Sequence, residues 1–231
     1  MKLAITHLVL STATFGLMLA VPQNAQASGL IRNVTATVSN AGTPQIGNID
    51  FTVDGAGLIG PPANKPTLTG NHSSTSGTNS WRSGLLTGST VGNVTINFAF
   101  GRIYNLAGFS FWNLGGDATA ANQGINAVTI QYSSNGGTNW TTLTDSGVPA
   151  SFSKGPATVG GVVSAQQVSF SPVYATNVRF INMSNHGATT PLNYRLGFNE
   201  IQFTSIPEPS TTLALLALGL AGMGLGLRKR I

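Results

Sequence analysis

Val128-Thr129-Ile130-Gln131-Tyr132-Ser133-Ser134-Asn135-Gly136-Gly137-Thr138-Asn139-Trp140-Thr141-Thr142-Leu143 alternates apolar and polar residues as far as Tyr132, breaks at Asn-Gly-Gly and resumes at Trp140. Alternation at period two turns one face of a strand inward, and Asn135-Gly136 supplies the positive φ values of a tight turn, so the stretch reads as a β-hairpin. Trp140 is expected to pack back on the strand that carries Tyr132. The glycines do not cradle a phosphate, because no Gly-Lys-Ser/Thr follows them.

The same alternation recurs on both sides: Val34, Ala36 and Val38; Val94, Ile96, Phe98 and Phe100; Val178 and Phe180; Phe198, Ile201 and Phe203. Phe98 to Asn113 reads as two strands bridged around Gly101-Arg102, and Val168–Val173 and Asn177–Asn182 as two more. Turn clusters separate them at Gly115-Gly116-Asp117 and Lys154-Gly155-Pro156. From Ser28 to Ser205, few Lys, Glu or Leu are present to sustain helices. Roughly eight strands without a convincing helix predict an all-β chain folded as a jelly-roll β-sandwich.

The two ends carry addresses. Lys2, an apolar segment from Leu8 to Val21 and Ala25-Gln26-Ala27 before Ser28 read as a secretory signal peptide over 1–27. At the other end, Thr211 to Leu227 is uncharged and would span roughly 25 Å as a helix, at the short limit for crossing a bilayer. Arg228-Lys229-Arg230 behind it favours a cytoplasmic C-terminus. Together with Pro207-Glu208-Pro209, this tail resembles the PEP-CTERM sorting signal of exopolysaccharide-producing Gram-negative bacteria. The resemblance implies an exosortase-type protease as partner, processing near Pro207, Glu208 and Pro209, transient anchoring in the inner membrane and delivery to the cell surface or extracellular matrix. An ordinary single-pass anchor is the plainer alternative. The domain plan is therefore 1–27 signal peptide, 28–205 β-sandwich ectodomain and 206–231 sorting signal with one transmembrane helix.

Charge and cysteine content narrow the function. Of the eleven Lys and Arg residues, Lys2, Arg228, Lys229 and Arg230 belong to the sorting ends, leaving seven against the acids Asp50, Asp54, Asp117, Asp145 and Glu200. The ectodomain is close to neutral and has no basic stripe to displace counterions from phosphates, so nucleic acid is not an expected partner. With no cysteine, disulfides and thiolate metal sites are excluded.

Five residues are candidates for carbohydrate contact. His72 lies in a long polar loop, Gly60 to Ser80, between Asp54-Gly55 and Trp81; loops of that length in a compact domain are commonly functional. Trp112 and Asn113 close a strand, where an indole covers the apolar face of a pyranose and an amide meets its hydroxyls. A core tryptophan beside a turn would give the same letters, and a solvated histidine the same His72. His186 and Arg195 belong to a second loop, Ser184 to Tyr194. Glu200, on an apolar strand, is costly to bury without a partner, which Arg195 or a cation would supply.

The order Asp54-Gly55, Asn79-Ser80-Trp81, Ile130 to Trp140, Asn177-Val178-Arg179-Phe180 and Gly197-Phe198-Asn199-Glu200-Ile201-Gln202-Phe203 is similar to discoidin, or coagulation factor type C, domains. These are galactose-binding-like jelly rolls, and many are non-catalytic carbohydrate-binding modules. The resemblance implies a structural calcium ion held by Asp54, Asn79 and Glu200, side chains whose oxygens suit that cation. Asn135 stands where the hairpin often carries Asp. The expected function is an exported, non-catalytic module for extracellular polysaccharide in an exopolysaccharide or biofilm setting. The alternative is a structural matrix protein without a sugar ligand. A secreted hydrolase fits less well: five acids, mostly in turns, do not supply an evident facing pair, and no Gly-x-Ser-x-Gly is present.

Overall fold

The computed structural model describes residues 29–60, 63, 65–87, 90–187 and 194–206; the segment 1–28, Pro207-Glu208-Pro209 and the apolar tail lie outside the described residues. Its strands, in chain order, are β1 (Gly29–Leu30), β2 (Thr35–Ser39), β3 (Ile46–Gly47), β4 (Leu58–Ile59), β5 (Asn71–His72), β6 (Trp81–Arg82), β7 (Thr95–Asn113), β8 (Thr129–Ser133), β9 (Thr141–Thr142), β10 (Val163–Ser164), β11 (Gln166–Ile181) and β12 (Gly197–Ser205), with one short helix, α1 (Ala118–Asn122). The fold is the expected all-β jelly-roll sandwich.

Its spine is the antiparallel ribbon of β7 and β11, which are 19 and 16 residues long. The first part of β7 pairs with β2 along Thr95–Ala99, and the last part pairs with β12 along Leu106–Asn113. One strand therefore serves both walls of the sandwich. Hydrogen bonds link β3-β6-β12-β7-β11-β8-β9 in that order, with β1 beside β12 and β2 beside β7. Between the walls lie aromatic rings contributed by every second residue. Phe98 meets Phe180 and Phe203 at 5.3 Å each, and Phe111 stacks between Phe152 at 3.9 Å and Phe198 at 5.5 Å. Offset and edge contacts of this kind add to the burial of large apolar surfaces.

Three local expectations are corrected. Phe98 to Asn113 is not a pair of strands, because Gly101 takes φ +72° inside a continuous β7. Val168–Val173 and Asn177–Asn182 merge into β11; Pro172 falls in the register shift between Ser169 and Val173, where a missing N–H costs no ladder bond. The hairpin turn is wider than two residues, since β8 and β9 pair only at Gln131↔Thr142 and Tyr132↔Thr141. Ser133 Oγ accepts from Gly137 N and Asn135 Oδ1 from Asn139 N, both at 2.9 Å, which holds the broader loop. Trp140 lies beneath the Arg179 guanidinium, 4.2 Å from its ring centroid.

A separate small sheet, β10-β5-β4, lies over the end of β7 and covers its outward side chains. It packs Leu58 and Val163 on Trp112. The loop expected from Gly60 to Ser80 thus contains a strand, β5, whose His72 pairs in register with both Leu58 and Val163.

Candidate functional site

Beneath the small sheet, the outward face of β12 carries Glu200 opposite Trp112 of β7. Glu200 is fully buried. Its Oε1 accepts from Gly55 N at 3.2 Å and, in a short contact, from Gln202 Nε2, while its Oε2 has no hydrogen-bond partner. Burial pushes its carboxyl well above the ordinary range; the Gln202 contact opposes that, the nearby Asp54 carboxylate adds to it, and the Gly55 N–H opposes it. Asp54 Oδ1 accepts from Ala56 N at 2.8 Å and shapes the turn above Glu200.

Asp54 and Asn79 share an open depression of about 460 Å³ with Ala56, Gly57, Ser73 and Thr78. Asn79 is committed within its own loop: Oδ1 accepts from Ser76 N at 2.7 Å, and Nδ2 donates to Ser73 Oγ at 2.8 Å and Ser74 O at 3.0 Å. Of the three expected metal ligands, Asp54 and Glu200 are brought together electrostatically, and Asn79 orders the wall beside them. Among the described residues there is no group of three or more His, Cys, Asp or Glu side chains arranged to hold a metal.

The residues expected at a sugar-binding edge separate into buried and rim positions. His72 is fully buried, not solvated. Its Nδ1 lies 2.7 Å from Ser73 O and its Nε2 2.7 Å from Ala56 O. Burial draws its pKa down against the pull of the carbonyls of Ser73, Ala56 and Asn79. Gly57 has φ +86°, and a Cβ there would sit 2.5 Å from the imidazole, so that glycine is what admits the ring. Trp112 is also fully buried, and its Nε1 donates to Gly70 O at 3.1 Å. The core alternative therefore describes Trp112: alternation aims it away from Phe111, and the small sheet closes over it. Asn113 has no exposure either. Its amide donates to Ile125 O at 2.7 Å and Ser153 O at 2.9 Å and accepts from Leu114 N at 3.0 Å, joining three segments.

His186 and Arg195 do reach a rim. His186 is half-buried, its Nε2 is shielded and unpartnered, and burial followed by the Lys154 charge lowers its pKa against the carbonyls of Ile125 and Phe152. Arg195 Nη1 donates to Ser83 O at 2.5 Å and Pro44 O at 3.2 Å. Asn185 links the two by donating to Arg195 O at 2.8 Å. The structure adds Arg82 and Lys154, which no local motif marks. Arg82 Nη1 donates to Gln123 Oε1 at 3.4 Å, and Lys154 Nζ makes a short contact with Asn122 Oδ1. Their only sequence signal is a polar side chain beside a predicted turn, which most surface residues share.

A model of the F5/8 type C domain matches residues 62–195, and a model of the PEP-CTERM protein-sorting motif matches residues 205–230. Asn79 lies inside the first match; Asp54 and Glu200 lie outside it. The curated proteins give no match. Among solved structures, the chain is similar to a Clostridium perfringens module in complex with GalNAc-β-1,3-galactose, with 14% identity, 76% of this chain and 99% of that one covered, and a TM-score of 0.45. It is also similar to a family 32 carbohydrate-binding module of Clostridium perfringens NanJ in complex with galactose, with 12% identity, coverage of 78% and 100%, and a TM-score of 0.41. A third such module, from a family 31 glycoside hydrolase of Clostridium perfringens, gives 11% identity, coverage of 75% and 95%, and a TM-score of 0.45.

Proposed function

The chain belongs to the F5/8 type C domain family and ends in a PEP-CTERM protein-sorting motif, and from that premise we propose that it is an exported, non-catalytic carbohydrate-binding protein of the cell surface or extracellular matrix. The observation that carries this reading is the separation of its ends. The polar rim with His186 and Arg195 precedes Gly197, the first residue of β12, whereas the sorting motif begins at Ser205, the last. Nine strand residues separate the two by roughly 26 Å at about 3.3 Å each, so the rim is presented away from the tail. An exosortase-type protease would act on Pro207-Glu208-Pro209, and polysaccharide in an exopolysaccharide or biofilm matrix would meet the rim. The sugar-contacting set is then His186 and Arg195, with His72, Trp112 and Asn113 supporting the loops from within.

Calcium belongs to the proposal as a structural ion. The unpartnered Glu200 Oε2 and the neighbouring Asp54 carboxylate suit a hard cation, which would supply the missing partner and relieve the like-charge pair. Asn79 would have to exchange its Ser76 N–H bond to join as a side-chain ligand. Catalysis by the same carboxylates is disfavoured, because glycoside hydrolysis needs both flanking the scissile bond and Glu200 is sealed from solvent.

The test is binding of the exported protein to a glycan array that includes polysaccharide from producing cells. Saturable binding to one sugar class, weakened by His186→Ala in a protein with an unchanged melting curve, is expected. Absence of binding to every glycan would overturn the reading in favour of a structural matrix protein.

A further inference from the structure

The rim places two guanidinium groups side by side. In the antiparallel pairing of β6 with β12, Arg82 stands opposite Gly197, and the ladder continues as Ser83 N donates to Leu196 O at 2.8 Å. Arg195, two residues before Gly197, is therefore the diagonal neighbour of Arg82 on the same face, a spacing of roughly 7–8 Å that long side chains bridge. Gly197 leaves the space: a Cβ there would lie 2.7 Å from Arg82 Cγ. The carbonyls that Arg195 uses, Ser83 and Pro44, fix its head beside this strand pair.

Two like charges held together need a counter-ion. Burial and the Arg195 charge both weaken the hold of Arg82 on its proton, and Asp117 opposes them. Asp117 is already engaged, since its Oδ1 accepts from Ala120 N at 2.7 Å to cap α1. Arg82 Nε is buried with no hydrogen-bond partner. Lys154 adds a third cation, tied to Asn122 while Arg82 is tied to the adjacent Gln123. The rim thus gathers three of the seven cations of residues 28–205. Guanidinium forks match the geometry of carboxylate and sulfate oxygens.

We propose that Arg82, Arg195 and Lys154 form an oxyanion-binding subsite, so that the saccharide bound at this rim is an acidic one, carrying a uronate carboxylate or a sulfate ester. The proposal rests on the carbohydrate-binding reading and adds the charge of the ligand to it.

The experiment measures binding of the exported protein to polygalacturonate and to its carboxyl-reduced form, and to a sulfated galactan and its desulfated form, across a salt series. Tighter binding to one acidic polymer than to its neutral counterpart, by about tenfold or more and weakening as salt rises, is expected. Arg195→Gln should remove most of that preference. Lys154→Gln, at an exposed position outside the core, should lower it a few-fold, and Lys154→Arg should restore it. Arg102→Gln, at the opposite end of the sandwich, should leave it unchanged. Equal binding to acidic and neutral forms would overturn the oxyanion subsite and leave the carbohydrate-binding reading intact. An Arg102→Gln loss as large as that of Lys154→Gln would reduce the effect to net charge and also overturn the subsite. No binding to any polymer here or on the array would overturn both.

Discussion

Replacing Glu200 with glutamine should raise the melting temperature in chelator and abolish its response to calcium. The amide oxygen can keep the two donors that Oε1 now has, Gly55 N and Gln202 Nε2. The amide NH2 replaces the unpartnered Oε2 with a donor, and the nearby Asp54 carboxylate then meets no like charge. Relieving one unsatisfied buried polar group is worth about 1–3 kcal/mol. At roughly 2–4 °C per kcal/mol for a domain of this size, the variant should melt about 2–12 °C above wild type in chelator. Calcium at about a hundred times its Kd would add about 2.7 kcal/mol to wild type, and nothing comparable to a variant without the carboxylate. The order of melting temperatures therefore narrows or reverses when calcium is added. Thermal unfolding followed by circular dichroism, with both proteins in chelator and in calcium, reads all four values. A Glu200→Gln variant that melts below wild type in chelator, with calcium raising both equally, would refute the reasoning.

The gap between these two proteins in chelator should also depend on pH. Glu200 has a raised folded pKa, so its contribution is fully present below about pH 4.5 and is lost as pH rises through the folded value; the variant's advantage should be greatest near neutrality and shrink toward pH 4.5, as melts at several pH values would show. His72, with a lowered folded pKa, acts in the opposite sense: its contribution is present above about pH 6.5 and lost as pH falls through the folded value, so both proteins lose it on acidification, and in the Glu200→Gln protein no gain from Glu200 offsets the loss. Trp112→Ala should cost about 3–5 kcal/mol in denaturant unfolding, whereas Trp112→Phe, which gives up chiefly the hydrogen bond to Gly70 O, should cost about 1–2 kcal/mol. Equal stability of Trp112→Ala and wild type would mean that the indole is not core. Gly155→Ala would bring a Cβ to 2.0 Å from Leu114 O, and urea unfolding should register a loss of about 1–3 kcal/mol.

What the sequence reveals and what it hides follow from the range over which each signal acts. The alternation Ile96, Phe98, Phe100 is a local statement about one strand face, and those three side chains are indeed buried in the core. Gly101 and Pro172 are equally local signals, yet strand pairing on both sides overrides them, which is why β7 and β11 each read as two pieces. Trp112, Asn113 and His72 have the residue types of a binding edge, and nothing near them in the chain says that they are covered. The small sheet that closes over Trp112 and contains His72 is β4, β5 and β10, each only two residues long and too short to show a period. Glu200 is different: a carboxylate on an apolar strand announces its cost locally, and its unpartnered oxygen is the structural form of that cost. The Arg82–Arg195 pair is set by register between residues 113 positions apart, hence invisible without the fold.

The same register sets which end of the sandwich lies nearest the sorting motif. β1 pairs with the end of β12 at Gly29↔Ser205, so both ends of the described sandwich lie at one edge, and Ile206 N still donates to Asn105 O at 2.9 Å. Only Pro207 to Ser210 separate that last bond from the apolar run, a reach of at most about 14 Å even when fully extended. Under the proposed sorting, a spacer so short would keep the sandwich close to whatever holds the motif. Access to a distant polymer must then come from the length of β12 itself, and a ligand site near Ser205 would face the support. The cationic rim stands at the other end of that strand, and under the proposed sorting it is the end of the module that a surrounding polymer would meet.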